Sequence, residues 1–162
     1  MKPIKVALLG IGTVGSGVFN VLRRNQAEIS ARVGRGIEIV LVADRNLAHA
    51  KSITGDAVEV IDDAFAAVSR PDIDVVVELI GGYTVAKELV LKAIENGKHV
   101  VMANKALLAV HGTEIFKAAQ QKGVMVAFEA SVAGGIPVIK ALKEGLAGNA
   151  INWVAGIING TC

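Results

Sequence analysis

The sequence predicts an α/β fold in which a mostly parallel sheet carries helices on both faces. Short apolar runs rich in Val, Ile and Leu alternate with longer amphipathic segments along all 162 residues. Near-continuous apolar strands of this kind are typical of parallel sheets that are buried on both faces. Glycines at Gly97 and Gly123 each follow an amphipathic segment, at the point where a helix should end before the next strand.

The boundaries follow from the same alternation. Strands are predicted at Ile4–Leu9, Ile37–Ala43, Asp74–Leu79, His99–Ala103, Val124–Phe128 and Asn152–Ile158. Helices are predicted at Thr13–Val33, Asp63–Val68, Thr84–Asn96, His111–Lys122 and Pro137–Leu146, with the side chain of Thr84 as an expected cap. This order indicates a doubly wound sheet that occupies residues 1–162 as one domain.

Composition excludes several classes of function. Hydrophobic residues make up 52% of the chain and charged residues 20%, so the chain is expected to fold. The net charge is only +2 and aromatic residues are 4%, so neither a basic stripe nor a base-stacking surface for nucleic acid is expected. Its apolar runs have the length of strands and fall short of a membrane span. The single cysteine favours a reducing, cytoplasmic setting.

A glycine motif lies between the first predicted strand and the first predicted helix. Gly10, Gly12 and Gly15 form the pattern G-x-G-x-x-G, in which Thr13 and Val14 begin the helix. In Rossmann-type domains these three glycines permit a tight turn, close approach of a pyrophosphate, and close helix–strand packing, respectively. The free N–H groups at the helix start attract phosphate. The motif therefore predicts a dinucleotide site.

The second predicted strand ends at adjacent Asp44 and Arg45. An acidic residue there binds the adenosine ribose and favours NAD, whereas an arginine pairs with the 2′-phosphate of NADP. Asp44 follows Gly15 by 29 positions, more than the usual spacing of about 20. NADP, or use of both cofactors, is the preferred interpretation; a solvated Arg45 with no ligand is the alternative.

Two further strand ends carry candidate residues. Ile80, Gly81 and Gly82 follow the third predicted strand, where backbone can approach the nicotinamide side of a cofactor. Glu78 in that strand requires a partner if it is buried. Asn104 and Lys105 follow the fourth predicted strand. Lys105 either polarises a carbonyl or hydroxyl group or simply extends from a loop into solvent.

Together with the glycine motif, three longer phrases resemble homoserine dehydrogenase. They are Val101-Met102-Ala103-Asn104-Lys105-Ala106-Leu107-Leu108-Ala109, Phe128-Glu129-Ala130-Ser131-Val132-Ala133-Gly134-Gly135-Ile136-Pro137, and Asn159-Gly160-Thr161-Cys162. The resemblance implies an NAD(P)-dependent enzyme that interconverts L-homoserine and L-aspartate 4-semialdehyde in the biosynthesis of threonine, methionine and isoleucine. It also implies a homodimer or larger assembly.

The resemblance also implies roles for individual residues. Lys105 would lie near nicotinamide and substrate as a catalytic or cofactor contact, and Gly160 would contact the cofactor at the crossover out of its domain. Glu129, with carbonyls around Val132, Gly134 and Ile136, resembles the site of a sodium ion. One carboxylate with several carbonyl groups is a donor set suited to a hard cation.

In the family, a substrate-binding and dimerising domain follows the Asn-Gly-Thr phrase. We therefore expect these 162 residues to be the cofactor-binding part, ending at that crossover, which binds cofactor but turns over poorly or not at all. Other interpretations stay open. The chain could belong to another dehydrogenase of amino-acid metabolism, such as an aspartate or dihydrodipicolinate-type enzyme, or it could be an NAD(P)H-sensing module without catalysis.

Overall fold

The computed structural model describes residues 1–156, in which strands and helices alternate. The strands are β1 (Ile4–Leu9), β2 (Ile37–Ala43), β3 (Glu59–Ile61), β4 (Val75–Glu78), β5 (His99–Met102) and β6 (Val126–Ala127). The α-helices are α1 (Thr13–Arg24), α2 (Gln26–Val33), α3 (Leu47–Thr54), α4 (Ala64–Ser69), α5 (Val85–Glu95), α6 (Lys105–Lys122) and α7 (Val138–Lys140). Short 3₁₀-helices lie at Gly55–Ala57 and Glu129–Ser131, and a π-helical turn follows α7 at Ala141–Gly145.

All six strands form one parallel sheet in the order β3-β2-β1-β4-β5-β6. This confirms the predicted doubly wound α/β architecture. The order reverses between β1 and β4, and in such sheets the ligand crevice lies outside the carboxyl ends of the strands at that point. The register brings the ends level, since Leu9 of β1 pairs with both Ala43 of β2 and Glu78 of β4.

Helices cover both faces of the sheet, as the apolar strands predict. Along β1, Ala7 and Leu9 face the core beneath α4, α5 and α6, whereas Val6 and Leu8 face the opposite core. Phe19 of α1 packs into that second core. Because adjacent strand residues point to opposite faces, one apolar strand contributes to both cores.

Several sequence predictions of helices need correction. The segment Thr13–Val33 is two helices, divided at Asn25, a residue type that competes for backbone hydrogen bonds and favours such breaks. Helix α6 begins at Lys105 and not at His111, because the Asn104 side chain caps it by accepting a bond from the N–H of Leu107. Thr84 precedes α5, but its side chain makes no capping bond.

The ends of the chain and of the sheet account for the other differences. Both α3 and β3 were absent from the prediction, since β3 has three residues at the sheet edge and α3 is short. Only Val138–Lys140 of the predicted helix Pro137–Leu146 is α-helical, and neither it nor the π-helical turn contains a buried residue. The strand predicted at Asn152–Ile158 is wrong for residues 152–156, which are exposed and irregular; its last two residues lie outside the described part.

A network of charged side chains joins the strands at the amino edge of the sheet. The Arg70 guanidinium forms a two-bond pair with the Asp72 carboxylate, with distances of 2.9 and 3.2 Å, and a third bond of 2.9 Å with Glu59. The Lys5 ammonium lies 3.6 Å from Asp72. Hydrogen bonding from Arg70 is the main cause that lowers the pKa of Asp72 from 3.8 to about 2. The network links β1 and β3 to the turn before β4.

Within residues 1–156, no helix combines the length and the apolar character that crossing a membrane requires.

The lowered pKa of Asp72 predicts a pH-dependent contribution to stability. Its contribution is complete above the unfolded-state pKa near 3.8 and is lost as the pH falls through about 2. We expect Asp72→Asn to lower the thermal midpoint at pH 7 and the deficit to shrink steadily between pH 4 and pH 2, measured by circular dichroism. Asp56→Asn, at an exposed carboxylate that forms none of the bonds of this network, is the control. A deficit that does not change over this pH range would contradict the assignment.

Candidate cofactor site

The glycine turn between β1 and α1 is closely packed on both sides. Gly10 has φ +88°, and a Cβ atom there would lie 2.9 Å from the carbonyl oxygen of Leu79. A Cβ atom on Gly15 would lie 2.1 Å from the carbonyl oxygen of Gly10. A Cβ on Gly12 would meet no atom within 4 Å in the described residues, and Gly12 lines an open cleft. The first and third glycines are therefore required by packing, and the second leaves space open.

Helix α1 presents its amino end beside that turn. Thr13 and Val14 are its exposed first residues. Among residues 1–156 no side chain caps this helix, because the N-cap position is Gly12. Uncapped N–H groups and the positive end of the helix dipole together suit a phosphate group.

Asp44 contacts the turn directly. One carboxylate oxygen accepts a 2.9 Å bond from the N–H of Ile11, and the other accepts a 2.9 Å bond from the N–H of Asn46. The sequence predicts a ribose ligand at Asp44; its carboxylate accepts two backbone bonds that fix the turn against β2, and each oxygen keeps a second lone pair. Arg45 beside it is exposed and lines the cleft.

Glu78 at the end of β4 has the hydrogen-bond partners that a buried carboxylate requires and that the sequence does not identify. Its side chain is fully buried. One oxygen accepts bonds of 2.8 and 3.0 Å from the N–H groups of Ile80 and Gly81, and the other lies 3.4 Å from the Asn104 side-chain nitrogen. Gly81 and its neighbour Gly82 adopt positive φ, which follows from this tight loop.

Asn104 and Lys105 lie at the adjacent strand end. The Asn104 side-chain nitrogen also donates to the carbonyl of Gly82, and its oxygen caps α6. Lys105 is the exposed first residue of α6. Asn104 is thus bonded to the loop that lines the cleft, and Lys105 follows it directly. Neither residue lines the cleft itself.

The cleft at this edge has a volume of about 980 Å³. It brings together the predicted residues Gly10, Gly12, Asp44, Arg45, Ile80, Gly81 and Gly82. It also contains residues that the sequence did not assign to a ligand site, Ala43, Asp62, Asp63, Ala64, Phe65, Leu79, Thr84, Val85 and Leu89. The segment from Asp62 to Phe65 was missed because β3, whose carboxyl end it follows, was not predicted.

The predicted cation loop lies beyond the end of β6. The half-buried Glu129 carboxylate accepts bonds of 2.9 and 3.0 Å from the N–H groups of Ile139 and Lys140, at the start of α7. The carbonyl of Ile136 accepts a bond from Val138. Over residues 1–156, no group of three or more His, Cys, Asp and Glu side chains could hold a metal ion.

The loop nevertheless keeps part of the donor set that a hard cation would use. It turns sharply at Ala133, with φ 56°, and at Gly134, with φ +58°. Val132, just before this turn, and Gly134 within it contribute carbonyl groups close to Glu129 in sequence. Each Glu129 oxygen has a second lone pair, and a carboxylate with carbonyl groups is the type of donor set that a hard cation uses. Gly160 lies outside the described residues.

A parallel, doubly wound sheet with a glycine turn at its order-reversal point defines a Rossmann-type dinucleotide-binding domain. The family model described as "Homoserine dehydrogenase, NAD binding domain" matches residues 10–129. This chain belongs to that family, and the match supports a nicotinamide cofactor.

Individual relatives agree with the family match. The chain is 66% identical over 161 residues to a homoserine dehydrogenase of Pseudomonas aeruginosa, with 99% of this chain and 37% of the relative covered. The crystal structure of a homoserine dehydrogenase from Thiobacillus denitrificans superposes with a TM-score of 0.91 at 61% identity, covering 99% of this chain and 37% of that one. For an S. aureus homoserine dehydrogenase the TM-score is 0.77 at 35% identity, covering 84% and 34%. The chain thus spans just over a third of these relatives' length.

Gly15 is tightly packed and Gly12 borders open space, so the same substitution at each should have different effects. Gly15→Ala forces a Cβ against the Gly10 carbonyl, so we expect a loss of about 1–3 kcal/mol in the free energy of unfolding by urea. Gly12→Ala adds a methyl group to open space, so stability should change by less than about 0.5 kcal/mol, whereas NADPH affinity should fall about tenfold or more. Unchanged NADPH binding by Gly12→Ala in a fluorescence titration would contradict the site.

Proposed function

We propose that this chain binds NADP or NAD as the cofactor-binding part of a homoserine dehydrogenase, which interconverts L-homoserine and L-aspartate 4-semialdehyde. The observation that carries the proposal is the cleft at the order-reversal point, with the uncapped amino end of α1 on its wall. The family match and the named relatives support the reaction.

Each residue's role follows from its position at the sheet edge. The N–H groups of Thr13 and Val14 would bind the pyrophosphate, and Gly12 would let it approach the backbone. Bound NAD(P) supplies the hydride acceptor, or the donor in the reverse direction. Lys105, the exposed first residue of α6, would donate a hydrogen bond that orients the substrate oxygen or the cofactor.

We further propose that Arg45 selects NADP by pairing with its 2′-phosphate. Support comes from the place of Arg45 directly after β2, beside Asp44, whose two carboxylate oxygens each accept one backbone bond that fixes this strand end. Arg45 is exposed at the cleft and, within residues 1–156, takes part in no ion pair. Its planar guanidinium matches a phosphate in geometry and charge.

The remaining features of the proposal concern the whole enzyme. A sodium ion on Glu129 and on the carbonyls around Val132, Gly134 and Ile136 would brace the loop beyond β6. We also propose a homodimer or larger assembly and a cytoplasmic location, which suits a chain with one cysteine. Substrate contacts are expected from the part of the relatives that this chain does not match.

Titration with NADPH and NADH at one fixed salt concentration tests cofactor binding and preference. We expect NADPH to bind more tightly, and Arg45→Ala to weaken NADPH about tenfold while changing NADH less than about twofold, because only NADPH carries the 2′-phosphate. Arg35→Ala, another exposed arginine, is the control. Equal weakening of both cofactors would overturn the role of Arg45, and binding of neither by the wild-type chain would overturn the proposal.

A homoserine assay tests whether the 162-residue chain binds the cofactor but turns over substrate poorly. We expect the 162-residue chain to reduce NADP with homoserine at least about 10³-fold more slowly than the P. aeruginosa relative, because correctly aligned groups supply much of an enzyme's rate. NADPH binding in the same sample shows that the cofactor site is formed. Turnover within about tenfold of the relative's rate would contradict the expectation.

A further inference from the structure

The buried Glu78 carboxylate is bonded to the backbone of Ile80 and Gly81, two residues that line the cleft. It is 0% exposed, and a buried carboxylate is costly unless donors satisfy it. Its donors come from two different segments, the backbone of Ile80 and Gly81 directly after β4 and the side chain of Asn104 after β5. One side chain therefore fixes two neighbouring strand ends.

Asn104 extends this connection in two directions. Its side-chain nitrogen bonds both Glu78 and the Gly82 carbonyl, and its oxygen caps α6 at the N–H of Leu107. All three hydrogen-bonding positions lie on one short, rigid amide. The orientation of the Gly82 loop and the start of α6, which carries Lys105, is thereby set by a single pair of side chains.

Glu78 and Asn104 both lie on the β4–β5 side of the point where the strand order reverses. Strands β2 and β3, with Asp44 and Arg45, lie on one side of β1, and β4 and β5 lie on the other. A dinucleotide that crosses this point with its adenosine half at Arg45 places its nicotinamide half above β4 and β5. Glu78 and Asn104 lie beneath that second half.

We propose that Glu78 and Asn104 are positioning residues for the nicotinamide half of the cofactor. They hold the Gly81–Gly82 backbone and the amino end of α6 in the geometry that receives this half, and they do not contribute to binding of the adenosine half. The inference rests on the proposed cofactor-binding function. If Glu78 were only a satisfied buried carboxylate, its replacement would affect both halves equally through stability.

Two variants separate these possibilities. Glu78→Gln keeps the side-chain shape and one oxygen for Ile80 and Gly81, but it places an NH₂ group against the Asn104 NH₂ group. Asn104→Ser keeps an oxygen that can cap α6, but it replaces the amide NH₂ group that bonds Glu78 and Gly82 by one O–H group on a shorter side chain. Glu28→Gln, at an exposed position in α2, is the matched control. Thermal unfolding identifies any variant that fails to fold. If Glu78→Gln fails to fold, Asn104→Ser, which lies outside the core, still tests the link between the two side chains.

The ligands are NADPH and NADH, with adenosine 2′,5′-bisphosphate and ADP as their adenosine halves, measured by calorimetric titration on the 162-residue chain. We expect each variant to weaken the preferred dinucleotide about tenfold or more and its adenosine half less than about twofold. The double variant should bind little worse than either single variant, because both break the same link.

Equal weakening of dinucleotide and adenosine half, or no weakening of either, would overturn the inference while leaving the proposed function intact. If the wild-type chain binds the adenosine halves but no dinucleotide more tightly, the inference is also wrong. If the wild-type chain binds none of the four ligands, the proposed function fails, and the inference fails with it.

Discussion

The turn from β1 into α1 leaves no space for a Cβ atom at Gly10 or at Gly15, and the remainder of the site depends on that constraint. Gly10 passes against the carbonyl of Leu79 after β4, and Gly15 of α1 lies against the carbonyl of Gly10. These contacts pack helix α1, the glycine turn and the residue that follows β4 directly against one another. Asp44 then fixes the turn from the other side through the N–H of Ile11. The amino end of α1 is thus aimed at the cleft by contacts from both flanking strands.

Two carboxylates with similar surroundings flank the point where the strand order reverses. Asp44 follows β2 and Glu78 ends β4, and each accepts two backbone N–H bonds from the loops that form the cleft. Both carboxylates therefore hold the loops of the cleft in place. The cleft itself offers a ligand uncapped helix N–H groups, glycine backbone and the exposed cation Arg45, and Lys105 adds an exposed cation at the end of β5. That balance suits an anionic dinucleotide.

Sequence patterns predicted those features that depend on local chemistry. Strands β1 and β2 matched their predicted bounds because long apolar runs are unambiguous. The start of α6 was misplaced although Asn104 carried a capping signal, since the predicted strand extended to Ala103 and obscured it. The place of Asp62 in the cleft and the bond from Asn104 to Glu78 could not be predicted. Both depend on which strand ends become neighbours, and that is a property of the sheet order.

The central claim is that one edge of the sheet binds the dinucleotide, and amide resonances test it directly. A ¹H–¹⁵N correlation spectrum of the 162-residue chain, recorded during titration with NADPH, reports each backbone N–H separately. We expect the largest shifts at Ile11–Gly15, Arg45 and Ile80–Gly82. Only small shifts are expected at Ser52–Val58, which line a separate cavity next to Phe19 of the second core. Shifts concentrated at Ser52–Val58, or none at the glycine turn, would contradict it.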